Sequence, residues 1–138
     1  MKIGVSSYSF QRLIGAGGET QLSVIRRAAQ LGFDAIEFTD LQPHDGSSEA
    51  DYAARLRDEA ARCGIEISAY AVGADLLGGC GGDLAAEVER LHRKVDVAAI
   101  LGAKILRHDA AFVFPDARGY RGFASVLPRL AEGCRAVT

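Results

Sequence analysis

The chain of 138 residues is 49% hydrophobic and 25% charged, an ordinary balance for a protein that buries one core. Its 16 basic and 18 acidic residues give a formal net charge of -2 and are mixed along the sequence. This charge pattern offers no field that would hold a phosphate backbone, so we do not expect a nucleic acid partner.

The cysteines and the amino-terminal segment indicate the compartment. Cys63, Cys80 and Cys134 are widely spaced and form no Cys-x-x-Cys pair, so neither a disulfide framework nor a thiolate zinc site is indicated. No long apolar stretch opens the sequence, and no later run approaches the roughly 18 apolar residues of a membrane-spanning helix. We therefore expect a cytoplasmic protein without a membrane partner.

Three segments of the chain repeat one another, each with a helix end, a glycine and then a strand. They cover residues 31–38, 63–70 and 101–108, and an opening strand over residues 1–10 completes four strand–helix units. The first three helices are predicted to end at glycines 32, 64 and 102. The fourth contains Pro128, which predicts either a late helix start with Pro128 in the first turn or a kink.

The predicted strands alternate apolar and polar residues, which separates two architectures. In the second strand Ile36 and Phe38 alternate with Glu37 and Thr39, and the first and third strands follow the same rule. One apolar and one polar face is typical of the wall of a (βα)8 barrel, whereas a doubly wound sheet is apolar on both faces.

The pattern therefore predicts an α/β protein in which four βα units and a parallel sheet form half of a (βα)8 TIM barrel, as a single domain over residues 1–138. The alternative is a complete four-stranded flavodoxin-like binding domain, in which a second helix layer would bury the polar strand face.

Polar side chains near the carboxyl ends of the strands are the candidates for substrate binding, because parallel strands bring these ends to one edge. His108 ends the fourth strand, and Asp109 is placed to orient its imidazole. Glu37 lies near the tip of the second strand, on the same side as Tyr8 and Tyr70. An ionised carboxylate there needs a cation, a metal or a sugar hydroxyl.

Each of these candidates also has a purely structural interpretation. His108 could make a hydrogen bond at the barrel rim, and Glu37 could form an internal salt bridge with Lys104 or Arg107. The glycine-rich stretch at residues 78–82 precedes a helix start, where backbone amides can hold phosphate. It lacks a Gly-Lys-Ser/Thr ending and is followed by Asp83, which favours a flexible loop.

The order and spacing of these segments resemble the amino-terminal half of the sugar phosphate isomerase/epimerase family, the xylose isomerase-like TIM barrels. The matching parts are the opening Met-Lys-Ile-Gly-Val-Ser-Ser-Tyr-Ser-Phe, the segments that begin at Leu31, Cys63 and Leu101, and the pair Arg107-His108. The likeness covers nearly all of the chain, although each part is short and common.

The resemblance implies a divalent metal (manganese, magnesium or zinc) bound by carboxylates and a histidine from the fifth to eighth strands, all beyond Thr138. In the resembling isomerases the metal polarises the substrate while two glutamates move a proton between neighbouring carbons. No catalytic residue and no metal ligand is therefore expected within this chain.

Two functions follow from these expectations. In the first, the chain is the amino-terminal half of a metal-dependent sugar or sugar phosphate isomerase/epimerase, is inactive by itself, and supplies Tyr8, Glu37, Tyr70 and His108 to the substrate pocket. Its partners are then the sugar and the missing carboxyl-terminal half-barrel. In the second, it is a non-catalytic half-barrel assembly module that pairs with a second copy through open strand edges.

Overall fold

Strands and helices alternate along the chain. The computed structural model describes residues 1–112 and 120–138, without the side chains of residues 120–123. The strands are β1 (Gly4–Ser6), β2 (Ala35–Thr39), β3 (Glu66–Val72) and β4 (Leu106–His108). The helices are α1 (Gln11–Gly15), α2 (Gln21–Gln30), α3 (Glu49–Cys63), α4 (Leu84–Leu101) and α5 (Tyr120–Val137), and 3₁₀ turns cover Ser7–Phe10 and Gly79–Gly82.

The four strands form one parallel sheet in the order β1-β2-β3-β4. Each strand therefore lies beside the next one in the sequence. A doubly wound sheet reverses its strand order at a switch point, so this order is not that of the flavodoxin-like alternative. It is the order of consecutive strands in a barrel wall, and the predicted half-barrel architecture is confirmed.

The helix boundaries follow the capping signals of the sequence. Thr20 caps α2 by accepting a hydrogen bond from the Ser23 amide over 3.2 Å, and Ser48 caps α3 by accepting one from the Asp51 amide over 3.1 Å. Gly64 follows α3 with a φ of +68°, a left-handed conformation that glycine adopts without strain. The predicted ends of the first three repeat helices are therefore confirmed.

Two elements differ from the prediction. The opening strand ends at Ser6, because the Ser6 hydroxyl accepts a hydrogen bond from the Tyr8 amide over 3.3 Å and begins a 3₁₀ turn. The short helix α1 follows this turn and was not predicted. Helix α5 continues through Pro128, so the predicted late start at this proline is wrong. A proline inside a helix removes one backbone hydrogen bond, but the remaining turns persist.

The chain divides into two compact units. The first consists of Met1–Ala71 and Asp96–Arg107, and the second of Val72–Val95 and His108–Thr138. In the first unit residues of β2, α2 and α3 form a core whose fully buried aliphatic and aromatic members include Val24, Ile25, Ile36, Phe38 and Leu56, and α2 contacts α3. In the second unit the buried residues include Leu76, Leu91 and Leu130. Within the described ranges, no helix combines the length and apolar character that a membrane crossing requires.

Candidate functional site

Buried polar side chains tie the carboxyl ends of β1 and β2 together. Ser7 is 2% exposed, and its hydroxyl accepts a hydrogen bond from the Thr39 amide over 3.0 Å. The buried Gln21 donates its side-chain amide to the carbonyls of Thr39 and Asp40, over 3.3 and 3.1 Å, and accepts from the Gln42 amide over 2.8 Å. Sequence reasoning missed Gln21, because polar residues are common in a first helical turn whether or not they are buried.

Glu37 lies on the polar face of β2 and is half-buried. In the described part of the chain its carboxylate forms no ion pair, so the predicted salt bridge to Lys104 or Arg107 is absent there. Lys104 instead pairs with Glu66, over 3.3 Å.

The register between β2 and β3 shifts by one residue in the middle of the strands. Ile36 pairs with Ile67, but the next residue, Glu37, pairs with Ala69. Ser68 is thus an extra residue in β3, and its hydroxyl donates to the Ile36 carbonyl over 3.3 Å. An extra residue of this kind reverses which side chains of the strand point to each face.

This shift changes the position of Tyr70. Tyr70 pairs with Phe38, and both side chains are 0% exposed on the face opposite Glu37. Its hydroxyl donates to Glu49, in the first turn of α3, over 2.7 Å, and burial together with this carboxylate raises the pKa of Tyr70. The prediction that Tyr70 shares the side of Glu37 is wrong, because strict alternation does not hold across the extra residue.

Tyr8 lies beyond the end of β1. It is in the 3₁₀ turn over Ser7–Phe10 and is 66% exposed, next to the buried Ser7. The prediction placed Tyr8 on the strand itself, which the earlier end of β1 corrects. Its aromatic ring remains accessible beside the joined ends of β1 and β2.

His108 is the last residue of β4, at the position predicted for it, and belongs to the second unit. Its Nδ1 lies 2.8 Å from the backbone carbonyl of Asp109. Since a carbonyl only accepts, Nδ1 donates in this hydrogen bond, and Nε2 is left to face other partners. Asp109 thus orients the imidazole through its backbone.

The glycine-rich turn over Gly79–Gly82 covers a buried carboxylate in the second unit. Glu87 is 2% exposed and accepts hydrogen bonds from Arg90 over 2.9 and 2.7 Å, from the Asp75 amide over 3.0 Å and from the Cys80 thiol over 3.3 Å. These donors, chiefly Arg90, lower the pKa of Glu87 to about 2. A negative charge beneath the turn opposes phosphate binding.

Comparison with known proteins identifies the family of the chain. Residues 25–137 match the family model described as xylose isomerase-like TIM barrel. The chain belongs to this xylose isomerase-like family. No curated protein sequence matches it.

Two solved structures share the fold of this xylose isomerase-like chain. One is the apo form of the 3-keto-D-glucoside 4-epimerase YcjR from E. coli, with a TM-score of 0.66 and 18% identity over 99% of this chain and 50% of that one. The other is a sugar phosphate isomerase/epimerase from Parabacteroides distasonis, with a TM-score of 0.60 and 17% identity over 99% of this chain and 48% of that one. The chain therefore spans about half the length of these structures.

The family resemblance implies a divalent metal, which needs several ligands close together. Within residues 1–112 and 120–138, no three His, Cys, Asp or Glu side chains converge as a metal site requires. The described part of this xylose isomerase-like chain therefore does not fit such a metal.

Proposed function

We propose that this chain supplies the amino-terminal half of a sugar or sugar phosphate isomerase/epimerase. The observation that carries the proposal is the structural match to an epimerase over 99% of this chain and half of the other. The match to the xylose isomerase-like family model supports it. Cys63, Cys80 and Cys134 are free thiols, which supports a cytoplasmic location.

In this proposal the substrate contacts come from Glu37, Tyr8 and His108. The Glu37 carboxylate accepts hydrogen bonds from sugar hydroxyls, and Tyr8 offers an exposed ring and hydroxyl. His108 presents Nε2 to a further hydroxyl. Tyr70 supports the fold rather than the substrate, because its hydroxyl is buried against Glu49. Any divalent metal would be held by residues outside the described part of this chain.

The proposal is tested by NMR titration of the ¹⁵N-labelled chain with fructose and fructose 6-phosphate. We expect shifts of the backbone amides at Ser6, Glu37 and His108, and about tenfold weaker sugar binding in Glu37→Gln, since a hydrogen bond to a charged group is lost. Glu66→Gln is the matched control, because the Glu66 carboxylate is already paired with Lys2 and Lys104. Equal losses in the two variants would contradict the proposed site.

The second candidate is a non-catalytic half-barrel assembly module that pairs with another copy. It is favoured by one observation: β1 and β4 are the outer strands of the sheet, and Ile3 and Ile105 beside them are 52% and 60% exposed. Native mass spectrometry separates the two functions. A defined dimer that Ile105→Lys converts to a monomer supports the assembly module, and a monomeric wild-type chain argues against it.

A further inference from the structure

The 3₁₀ turn that follows β1 has one buried side and one exposed side. Its first and last residues, Ser7 and Phe10, are buried, whereas Tyr8 and Ser9 between them are exposed. A 3₁₀ helix has three residues per turn, so residues three positions apart lie on the same side. Ser7 and Phe10 therefore share the side that packs into the first unit, and Tyr8 lies on the outer side.

The Ser7 hydroxyl continues the hydrogen bonding between β1 and β2 beyond the end of β1. The last residue of β1, Ser6, pairs with Glu37, and the turn begins directly after it. The Thr39 amide then donates to the Ser7 hydroxyl over 3.0 Å, so a side chain supplies the acceptor in place of a strand carbonyl. The Thr39 hydroxyl lies 3.3 Å from the same oxygen. Ser7 thus holds the start of the turn against the end of β2.

Thr39 is itself held by a second buried side chain. Its carbonyl accepts a hydrogen bond from the side-chain amide of Gln21 over 3.3 Å. Buried side chains of α2 and of the turn therefore bind both the carbonyl and the amide of Thr39. Because Thr39 is fixed in this way, its hydrogen bonding to Ser7 fixes the turn as well.

This hydrogen bonding connects two of the substrate contacts proposed above. Glu37 and Thr39 are two positions apart in β2, so their side chains lie on the same face of the strand. Tyr8 follows Ser7 directly in the turn, and the turn contacts β2. The bond between Ser7 and Thr39 therefore fixes the position of Tyr8 relative to Glu37.

We propose that Ser7 is a positioning residue, whose buried hydroxyl holds the ring of Tyr8 where it contacts a sugar bound at Glu37. The inference rests on the proposed function, in which Tyr8 and Glu37 contact the sugar. Ser7 acts through Tyr8, because its own side chain is buried beneath the turn. A ring that is held in place before binding loses less conformational freedom when the ligand arrives, which strengthens binding.

The test is a double-mutant cycle on fructose affinity, measured by NMR titration of the ¹⁵N-labelled chain. Ser7→Ala is expected to weaken fructose binding about fivefold, since the turn is then free to move. In the Tyr8→Ala background the same substitution should leave fructose affinity unchanged, because no ring remains to be positioned. Without sugar, ¹⁵N relaxation of Ser7→Ala should show an order parameter at the Tyr8 amide that falls from about 0.85 to below about 0.6.

Tyr70→Phe is the matched control, because it also removes one buried hydroxyl from the first unit, the one that donates to Glu49 over 2.7 Å. It is expected to lower stability while leaving fructose affinity and the order parameter at the Tyr8 amide unchanged. If Ser7→Ala does not fold, Ser7→Cys takes its place in the cycle, because a thiol fills the same site but is a weak acceptor.

The outcomes separate this inference from the proposed function. An equal loss of affinity in the wild-type and Tyr8→Ala backgrounds overturns the positioning role, since Ser7 then acts on the fold alone. Wild-type affinity in Ser7→Ala also overturns it, and weaker binding by Glu37→Gln in the same titration shows that the proposed function stands without it. A wild-type chain that does not bind fructose overturns both.

Discussion

At the scale of single residues, Glu87 makes the stability of the chain depend on acid pH. Its pKa is lowered from 4.5 to about 2. A carboxylate whose pKa is lowered stabilises the fold fully at pH values above its ordinary pKa. This stabilisation is lost as the pH falls from about 4.5 to 2. The shift corresponds to about 3 kcal/mol. We expect the free energies of unfolding of wild type and Glu87→Gln to converge over this pH range, as measured by urea denaturation.

Glu89→Gln provides the control for this pH dependence. Glu89 pairs with Arg93 over 3.4 Å, but both side chains are more than 60% exposed, at 65% and 63%. An exposed pair of this kind contributes little to stability. A pH profile that changes as much in Glu89→Gln as in Glu87→Gln would show that the buried carboxylate has no special role.

Gly79 lies so close to Glu87 that a larger residue does not fit at this position. A Cβ at this position would lie 2.7 Å from the Glu87 carboxyl carbon, which Arg90 and the Asp75 amide hold in place. We expect Gly79→Ala to lower the free energy of unfolding by about 1–3 kcal/mol. Gly15→Ala is the control, because a Cβ there meets nothing within 4 Å. Equal stability of the two variants would mean that the turn moves away from Glu87 without cost.

At the scale of elements, the extra residue in β3 decides which side chains reach the core. Deletion of Ser68 leaves Ala69 beside Glu37 and Tyr70 beside Phe38 in an unbroken register, so Tyr70 keeps its buried position. We therefore expect the deletion variant to remain folded, as judged by circular dichroism. An alanine inserted after Ala69 instead moves Tyr70 to the face of Glu37, and we expect this variant to lose several kcal/mol of stability or to remain unfolded. An insertion variant as stable as the deletion variant would contradict this role of Ser68.

The loop after β2 depends on a single buried amide side chain. Gln21→Ala removes the acceptor for the Gln42 amide and the donors for the carbonyls of Thr39 and Asp40. We expect a loss of about 1–3 kcal/mol and faster hydrogen exchange at the Gln42 amide. Gln30→Ala, at the exposed end of the same helix, should leave this amide unchanged. Unaltered exchange at Gln42 in Gln21→Ala would show that the loop is held by other contacts.

The sequence predicted the elements better than the orientation of their side chains. Caps such as Ser48 and glycines such as Gly64 act within one turn of chain, so helix ends are local properties. The extra residue Ser68 arises from the pairing of β3 with β2. Its hydrogen bond to Ile36 joins residues that are 32 positions apart in the sequence, and no local sequence signal marks it. The position of His108 at the end of β4 was predicted from the sequence. The orientation of Tyr70 could not be, because it depends on the register between β2 and β3.

At the scale of the whole molecule, the chain spans about half the length of the structures that it resembles. A TIM barrel enzyme assembles its site from loops that follow several strands of the complete barrel. We therefore expect the isolated chain, supplied with Mn²⁺, to convert neither aldoses nor ketoses in an NMR assay of sugar turnover. Turnover by the isolated chain that Glu37→Gln abolishes would contradict the half-barrel proposal.

The first unit is built from two separated stretches of chain, which affects when it can fold during biosynthesis. Met1–Ala71 belongs with Asp96–Arg107, while Val72–Val95 belongs to the other unit. On the ribosome, the chain emerges from its amino terminus, and the stretch that completes the first unit is made after the intervening one. In the nascent polypeptide the first unit therefore stays incomplete until Arg107 has left the exit tunnel. During that time chaperones can bind its exposed apolar surface.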